Sequence, residues 1–327
     1  MAQVRSWRQA AVAALAAAAV AGLAIGLVLG ETGAHHRHRS GRVVTVTSKP
    51  DAGGRGRVWP TAADTGADPG TVTGALTPNS GGWYIDSKTS DTIQNVVLDG
   101  GIRFEGTGTL TLRNVILRPD WTKVWATVVA SNNGSLVLDH VTIAGVNVGQ
   151  GTNFTKGFVG SGPGSDLDVG FSDISGVCQN DVAQGSFNIH DNYIHNIGSR
   201  NGATCHGTPI EDEFGGAQPR IIRHNTLDEA PGRSTGPGAT DGIFLQPLYG
   251  AITPITIDHN VIHLWYYGIE ISPSGGHAVS GPIVTNNCFV TPGGQPVSDP
   301  GNTISAWSGN TRCSLNYLDS GASVPKN

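Results

Sequence analysis

One six-residue phrase recurs eight times between Ile93 and Phe289: an apolar residue, four mostly polar or bend-forming residues, and a second apolar residue. The opening positions are Ile93, Leu112, Leu138, Val169, Ile189, Ile222, Ile257 and Val284. Five residues on stand Leu98, Leu117, Ile143, Ile174, Ile194, Leu227, Ile262 and Phe289. Successive openings lie 19, 26, 31, 20, 33, 35 and 27 residues apart, by subtraction of those positions. A unit this short cannot bury its apolar face alone, so it gains a core only by stacking on copies of itself. The phrase reads as a strand, a tight bend and a second strand. In the last four copies the bend carries Asn192, Asn225, Asn260 and Asn287 at one place, and Asn tolerates the left-handed backbone of a sharp bend. Short strands and bends on coils of variable length predict an all-β chain wound as a parallel β-helix.

Composition agrees. Charged residues make up 14% of the chain and glycine 47 of 327 residues, which favours turns over helical faces. Beyond the N-terminus no stretch keeps a 3.6-residue period, and β-branched and aromatic residues fall in short runs between Gly, Asn, Asp and Ser.

The N-terminus is of another kind. Arg5 and Arg8 precede an uncharged apolar run, Ala10 to Leu29, which predicts a hydrophobic helix. A cleaved signal peptide and an uncleaved signal anchor are both open over residues 1–30. The length of the run favours the anchor, and Leu27–Val28–Leu29–Gly30 does not supply a small-x-small cleavage site. Both export the body to the cell surface or the extracellular space. Residues 31–57 are polar and Gly-rich and read as a flexible tether. Its His35–His36–Arg37–His38 run reads as a solvated linker start rather than a metal site.

Export suits four cysteines, an even number. Cys178 and Cys205 are 27 residues apart, and Cys288 and Cys313 are 25 apart. Each gap is about one coil, so each pair can bridge neighbouring coils; four buried thiols are the alternative. Removing the first forty residues takes away four Arg and one Glu and moves the net charge from −5 to −8. An acidic body without a basic stripe argues against a nucleic-acid partner.

From Trp59 the character changes. The run Pro60–Thr61–Ala62–Ala63–Asp64–Thr65–Gly66–Ala67–Asp68–Pro69–Gly70 resembles the opening of many bacterial right-handed β-helix proteins of the pectate-lyase-like superfamily, which begin with Pro, a short polar stretch, Asn-Thr-Gly and a Pro-Gly turn. Asp64 stands in place of the Asn. The resemblance runs to about Cys313 and implies a right-handed solenoid of about eight to ten coils over residues 58–315, with 316–327 as a C-terminal tail. It is specific for fold and weak for activity, because the superfamily holds lyases, hydrolases, epimerases and tailspikes. Trp83 and Tyr84 are expected to cap the first coil, and Trp307 and the Cys313 segment the last.

Between phrases the coils carry a third strand, best seen in Pro209–Phe214, Thr240–Gln246 and Gly268–Ser272. Stacking brings equivalent outward side chains to about 4.8 Å of one another. Aligning Ile210, Ile243 and Ile269 puts Glu211, Phe244 and Glu270 in one outward file. Glu213 and Gln246 take the next outward place with Ser272 beside them; Asp241 precedes its strand, and Asp212 and His206 are close in sequence. Carboxylates two coils apart lie roughly 9 to 10 Å apart, near the upper end of the separation in inverting glycosidases. An aromatic residue between them can stack on a sugar ring.

The resemblance implies a polysaccharide in the groove over this strand. In the branch the chain resembles, the strand carries His-x-Asp-Gly-Ile-Gln; here Asp241–Gly242–Ile243 is kept and Ala239 takes the place of the His. One coil earlier, His206–Gly207–Thr208–Pro209–Ile210–Glu211 keeps the His and the Ile without Asp-Gly. Glu211, Asp241 and Glu270 are therefore the candidate acid/base residues, and His206, Glu213, Phe244, Gln246 and Arg223 the candidate substrate contacts. A solvated acidic face that keeps the strands soluble accounts for the same residues.

Two further files follow the phrase. His195, Asp228 and His263 read as cross-strand hydrogen bonding or, less simply, as ligands of a divalent metal. His190, Arg223 and Asp258 read as a cross-strand ion pair. Trp265–Tyr266–Tyr267 serves equally as a sugar platform or as a shield for a sheet edge.

A lyase needs a base beside the uronate and Ca²⁺ or another cation on its carboxylate, so Ca²⁺ enters only with that chemistry. Neither the Arg-Pro-x-x-Arg run of classical pectate lyases nor the Asn-x-Asp, Asp-Asp and Gly-His-Gly set of polygalacturonases occurs. The expectation is an exported protein that binds or cleaves polysaccharide by lyase or hydrolase chemistry; the alternative is a non-catalytic glycan-binding or structural rod. Oligomeric state is left open.

Overall fold

All sixteen anchors of the phrase are buried, none more than 7% exposed. The computed structural model describes residues 59–146, 155–160, 165–182, 185–197, 207–216, 219–228, 241–263, 266–272, 276–290, 294–314, 316 and 319–326. The export segment, the tether, His206 and Cys205 lie outside them. All described residues belong to one compact unit, Gly54–Asn327. Among them there is no helix, and so none long and apolar enough to cross a membrane.

The phrases stack in register. Ile93, Leu112, Leu138, Val169, Ile189, Ile222, Ile257 and Val284 each pair with the next across parallel strands. Their partners from Leu98 to Phe289 do the same. Two flanking rungs lack the apolar signature: Leu76 stacks on Leu98, while Trp307 and Arg312 stack on Val284 and Phe289. The phrase strands form a seventeen-stranded sheet. The third strands form a nine-stranded parallel sheet that includes Trp83–Asp86, Lys156–Val159, Gln179–Val182, Thr208–Asp212, Asp241–Leu245, Tyr267–Ile271 and Gln295–Ser298. Two long parallel sheets around one apolar core fit a parallel β-helix.

The bend works differently from the sequence reading. The left-handed residue of each phrase is Asn95, Asn114, His140, Phe171, Asp191, His224, His259 or Asn286, with φ between 49° and 56°; in the last four phrases it stands one place before Asn192, Asn225, Asn260 and Asn287. The following asparagines point inward and are fully buried. Each Nδ2 donates to the carbonyl that opens the preceding phrase, as Asn225 does to Ile189 O at 2.9 Å. Each Oδ1 accepts the backbone N–H and the side-chain Nδ2–H of the asparagine one coil back, from Asn192 through Asn225, Asn260 and Asn287 to Asn310. Buried amides are thereby satisfied where the bend interrupts the strand.

The stretch from Trp59 to Thr73 is a strap laid across the rungs. Trp59 packs on Val261, Cys288 and Val290 near one end. Gly66 N donates to Phe171 O, Ala67 N to Thr142 Oγ1, Asp68 N to Asn114 Oδ1 and Thr73 N to Asn95 O, each one rung or more further back. Gly66 adopts φ +82° and sits where a β-carbon would run into Thr142 and Asp173, which glycine alone accommodates. At the other end, Asp319–Ser323 pairs antiparallel with Thr311–Cys313, and Trp307 Nε1 donates to Val324 O at 2.8 Å. These residues, assigned from sequence to a tail, thus cover the last phrase strands. Cys288 and Cys313 form a disulfide between adjacent coils. Cys178 is also disulfide-bonded.

Candidate functional site: an outward file of carboxylates and aromatics

The register of the nine-stranded sheet produces one continuous file: Ile85, Arg103, Val129, Val159, Asp181, Glu211, Phe244, Glu270 and Ser298. Glu211, Phe244 and Glu270 therefore fall on adjacent rungs, as the alignment of Ile210, Ile243 and Ile269 predicts. Asp181 takes the register place one rung before Glu211. Sequence reasoning missed it because a register irregularity lies between Gln179 and Asp181.

Glu211 is 6% exposed although its place in the file is outward. Strand alternation sets Glu213 on the same face. Burial is the largest influence on the Glu211 carboxyl and raises it to about 8; the Glu213 charge and a hydrogen bond to Glu213 push the same way, and Lys156 opposes. Glu213 is also raised, chiefly by burial, while the hydrogen bond from Glu211 and the charge of Lys156 restrain it. The two carboxyls therefore titrate as a coupled pair. Burial lowers the Lys156 ammonium, and the two glutamates oppose that shift.

An aromatic pair borders Glu213. Leu248 N and Tyr249 N donate to Glu213 O at 2.9 and 3.0 Å. This places the Tyr249 ring on Phe214, centroids 4.6 Å apart and planes 20° from parallel. Tyr249 is 45% exposed. Its hydroxyl is raised by burial and then by the Glu213 charge.

The other candidates are spread over neighbouring places. Asp241 is buried and lies in a different file, opposite Tyr267, which in turn pairs with Gln295. Burial is the first cause of a raised Tyr267 hydroxyl, with the charges of Glu270 and Asp241 adding to it. Gln246 N donates to Asp212 O at 2.8 Å just past its strand. The carboxyl that acts on Glu211 is thus Glu213, just past the end of its strand, rather than Glu270 or Asp241.

Between the two glutamates Asp212 points inward and is buried. It forms an ion pair with Arg220, whose side chain is fully buried. The Arg220 guanidinium lies 5.0 Å from the Phe187 ring centroid, and burial lowers it to about 10. The free oxygen of Asp212 accepts Phe214 N and Gly215 N, both at 3.2 Å. Nothing in the residue pattern marks this pair, because an inward charge contradicts the alternation from which core positions are read.

The phrase files resolve into local pairs. His190, Arg223 and Asp258 stack as expected, yet the carboxylate of Asp258 is engaged by His259, Thr285 and Asn286 at 2.6, 2.6 and 2.9 Å instead of by Arg223. Burial opposes ionisation of Asp258, and these donors hold it down at about 2. Burial likewise opposes charge on His190, but hydrogen bonds to Asp168 and Asp191 raise it to about 9. In the second file His263 Nδ1 meets Asp228 at 2.9 Å, while His195 Nε2 turns back to Asp173 at 2.8 Å. The three therefore do not converge, and among the described residues no group of His, Cys, Asp and Glu could hold a metal ion.

An open depression of about 410 Å³ at the connections after the first phrases is lined by Asp99, Arg118, Asp120, Lys123 and Val146. Its charges pair with one another, Arg118 with Asp99 and Lys123 with Asp120. The raised carboxyls of Glu211 and Glu213 lie on the face of the nine-stranded sheet and not in this depression. Compared with family models, curated proteins and solved structures, the chain finds no match.

Proposed function

We propose that the protein is an exported, right-handed β-helix that cleaves polysaccharide by glycoside hydrolysis along the outward file of its nine-stranded sheet. The observation that carries this reading is Glu211, an outward carboxyl that burial and Glu213 keep protonated at neutral pH. A glycosidase needs such a group as general acid, to protonate the leaving oxygen as the glycosidic bond breaks. Glu270 stands two rungs away with Phe244 between. Two rungs span about 9.6 Å, at the upper edge of the range in which a second carboxylate activates water on the opposite face of the sugar. Phe244, with Tyr249 and Phe214 at the next place, supplies ring faces for stacking.

The opening motif and the stacked phrases support kinship with the pectate-lyase-like superfamily. Connections between parallel strands are right-handed in about 98% of cases, which supports the hand. The Cys288–Cys313 bond suits an oxidising compartment and hence export. The low exposure of Glu211 favours a second reading, a non-catalytic rod that binds glycan through Phe244 and Tyr249.

Screening the full-length chain against plant, bacterial and host glycans, with products and bound fraction measured separately, distinguishes the two. Glu211→Gln and Glu270→Gln are expected to abolish product formation while both variants remain folded. Unchanged turnover in both variants rules the hydrolase out, and binding without products from the wild type supports the rod.

A further inference from the structure

Asp212 is an expensive residue to keep. Its strand runs through an otherwise apolar layer, with Asp212 itself opposite Leu245 and the next inward place back held by Ile210. Arg220 is set in the opposing sheet beneath Phe187, which it pairs in register. Neither Nε nor Nη1 of Arg220 has a hydrogen-bond partner. A buried pair with unmet donors is generally no more stable than apolar residues of similar volume. Stability therefore does not account for it.

Its position does. Asp212 separates Glu211 from Glu213, and one carboxylate performs two tasks. One oxygen takes Arg220 across the core. The other takes the N–H groups of Phe214 and Gly215, closing the turn that follows Glu213. Gly215 adopts φ +65° at a place where a β-carbon would collide with the backbone of Ala251. The same turn brings Glu213 O to the backbone of Leu248 and Tyr249. Fixing Asp212 thus fixes the strand end from which both glutamates project.

We infer that Asp212, through its buried pair with Arg220, is a positioning residue that holds the Glu211 and Glu213 carboxyls against one another. This rests on the reading of Glu211 as the acid of the site, but it is tested without any glycan. Lys156 and Tyr249 are the other titratable groups facing the pair, and neither is altered in the test.

The experiment is a carboxyl NMR titration of the full-length chain labelled with ¹³C-glutamate, with Glu211→Gln identifying the resonance. It compares wild type with Asp212→Asn and with the charge-balanced double variant Asp212→Asn/Arg220→Met. Asn keeps an oxygen for Phe214 N and Gly215 N, so the double variant removes the ion pair alone and leaves no orphaned cation. The expected result is a folded double variant in which the Glu211 midpoint falls by about one pH unit or more, as Glu213 moves away from it. Asp212→Asn alone strands the arginine, and a failure of that variant to fold is read against the double variant. An unshifted Glu211 midpoint in the folded double variant overturns the inference. So does failure of the double variant to fold, which would make the pair a stability element. A shifted midpoint in a protein that cleaves no glycan upholds the positioning role and counts against the hydrolase.

Discussion

Asn225 donates its side-chain Nδ2–H to Asn260 Oδ1 at 3.0 Å across one coil, and the same oxygen accepts the Asn225 backbone N–H at 3.0 Å. One amide thus satisfies two donors of its neighbour, and the pattern repeats down the solenoid. The asparagine is selected for what it does inside the coil, while the left-handed bend falls to the residue before it.

Asn225→Ala is expected to cost about 3 kcal/mol or more, because Ile189 O and both Asn192 donors lose their buried partner. His259→Asn, at a left-handed and half-exposed place, is expected to stay within about 0.5 kcal/mol of wild type. Urea unfolding of the two variants decides it; equal midpoints would show that the ladder contributes no stability.

Glu211 should make the fold lose stability as pH rises from about 4.5 to 8. Its folded-state value is raised to about 8 from 4.5, so the native state binds the extra proton across that window. The stability it contributes is complete below about 4.5 and is lost as pH rises through 8. Glu211→Gln is expected to flatten the unfolding free energy between pH 5 and 8, measured by denaturant titration at several pH values. A slope equal to wild type would show that Glu211 titrates normally.

His190 acts in a later window. Asp168 and Asp191 raise it to about 9 from 6.5, so its contribution is present below about 6.5 and disappears as pH rises through 9. His190→Gln should remove the loss of stability between pH 7 and 9 and leave the slope near pH 5 untouched. A variant that retains the full alkaline slope would assign it to other groups.

Trp59 anchors the strap on Val261, Cys288 and Val290. Trp59→Ala is expected to cost about 3 kcal/mol and to open the backbone between Pro60 and Gly70 to proteolysis under native conditions. Mass spectrometry of early fragments reads this directly; a first cut elsewhere would mean that the strap is held by its backbone bonds alone.

Much of the fold was legible because burial in a solenoid is local and repetitive. Ile189, Ile222 and Ile257 each announce an inward place in their own six residues, and stacking then follows from the need to cover both faces of every coil. The site was legible only as a file. Alternation places Glu211, Phe244 and Glu270 together, but it does not reveal that Glu211 is covered or that it is coupled to Glu213.

The sequence by itself determined the repeating unit, the inward anchors and the order of the outward side chains, since each depends on residues a few places apart. The tertiary structure decided which asparagine oxygen meets which coil, where the strap lies, and which carboxyls burial raises. Those outcomes depend on burial and on neighbours tens of residues away, such as Lys156 beside Glu211 and Glu213. Local pattern carries no information about the dielectric in which such groups meet.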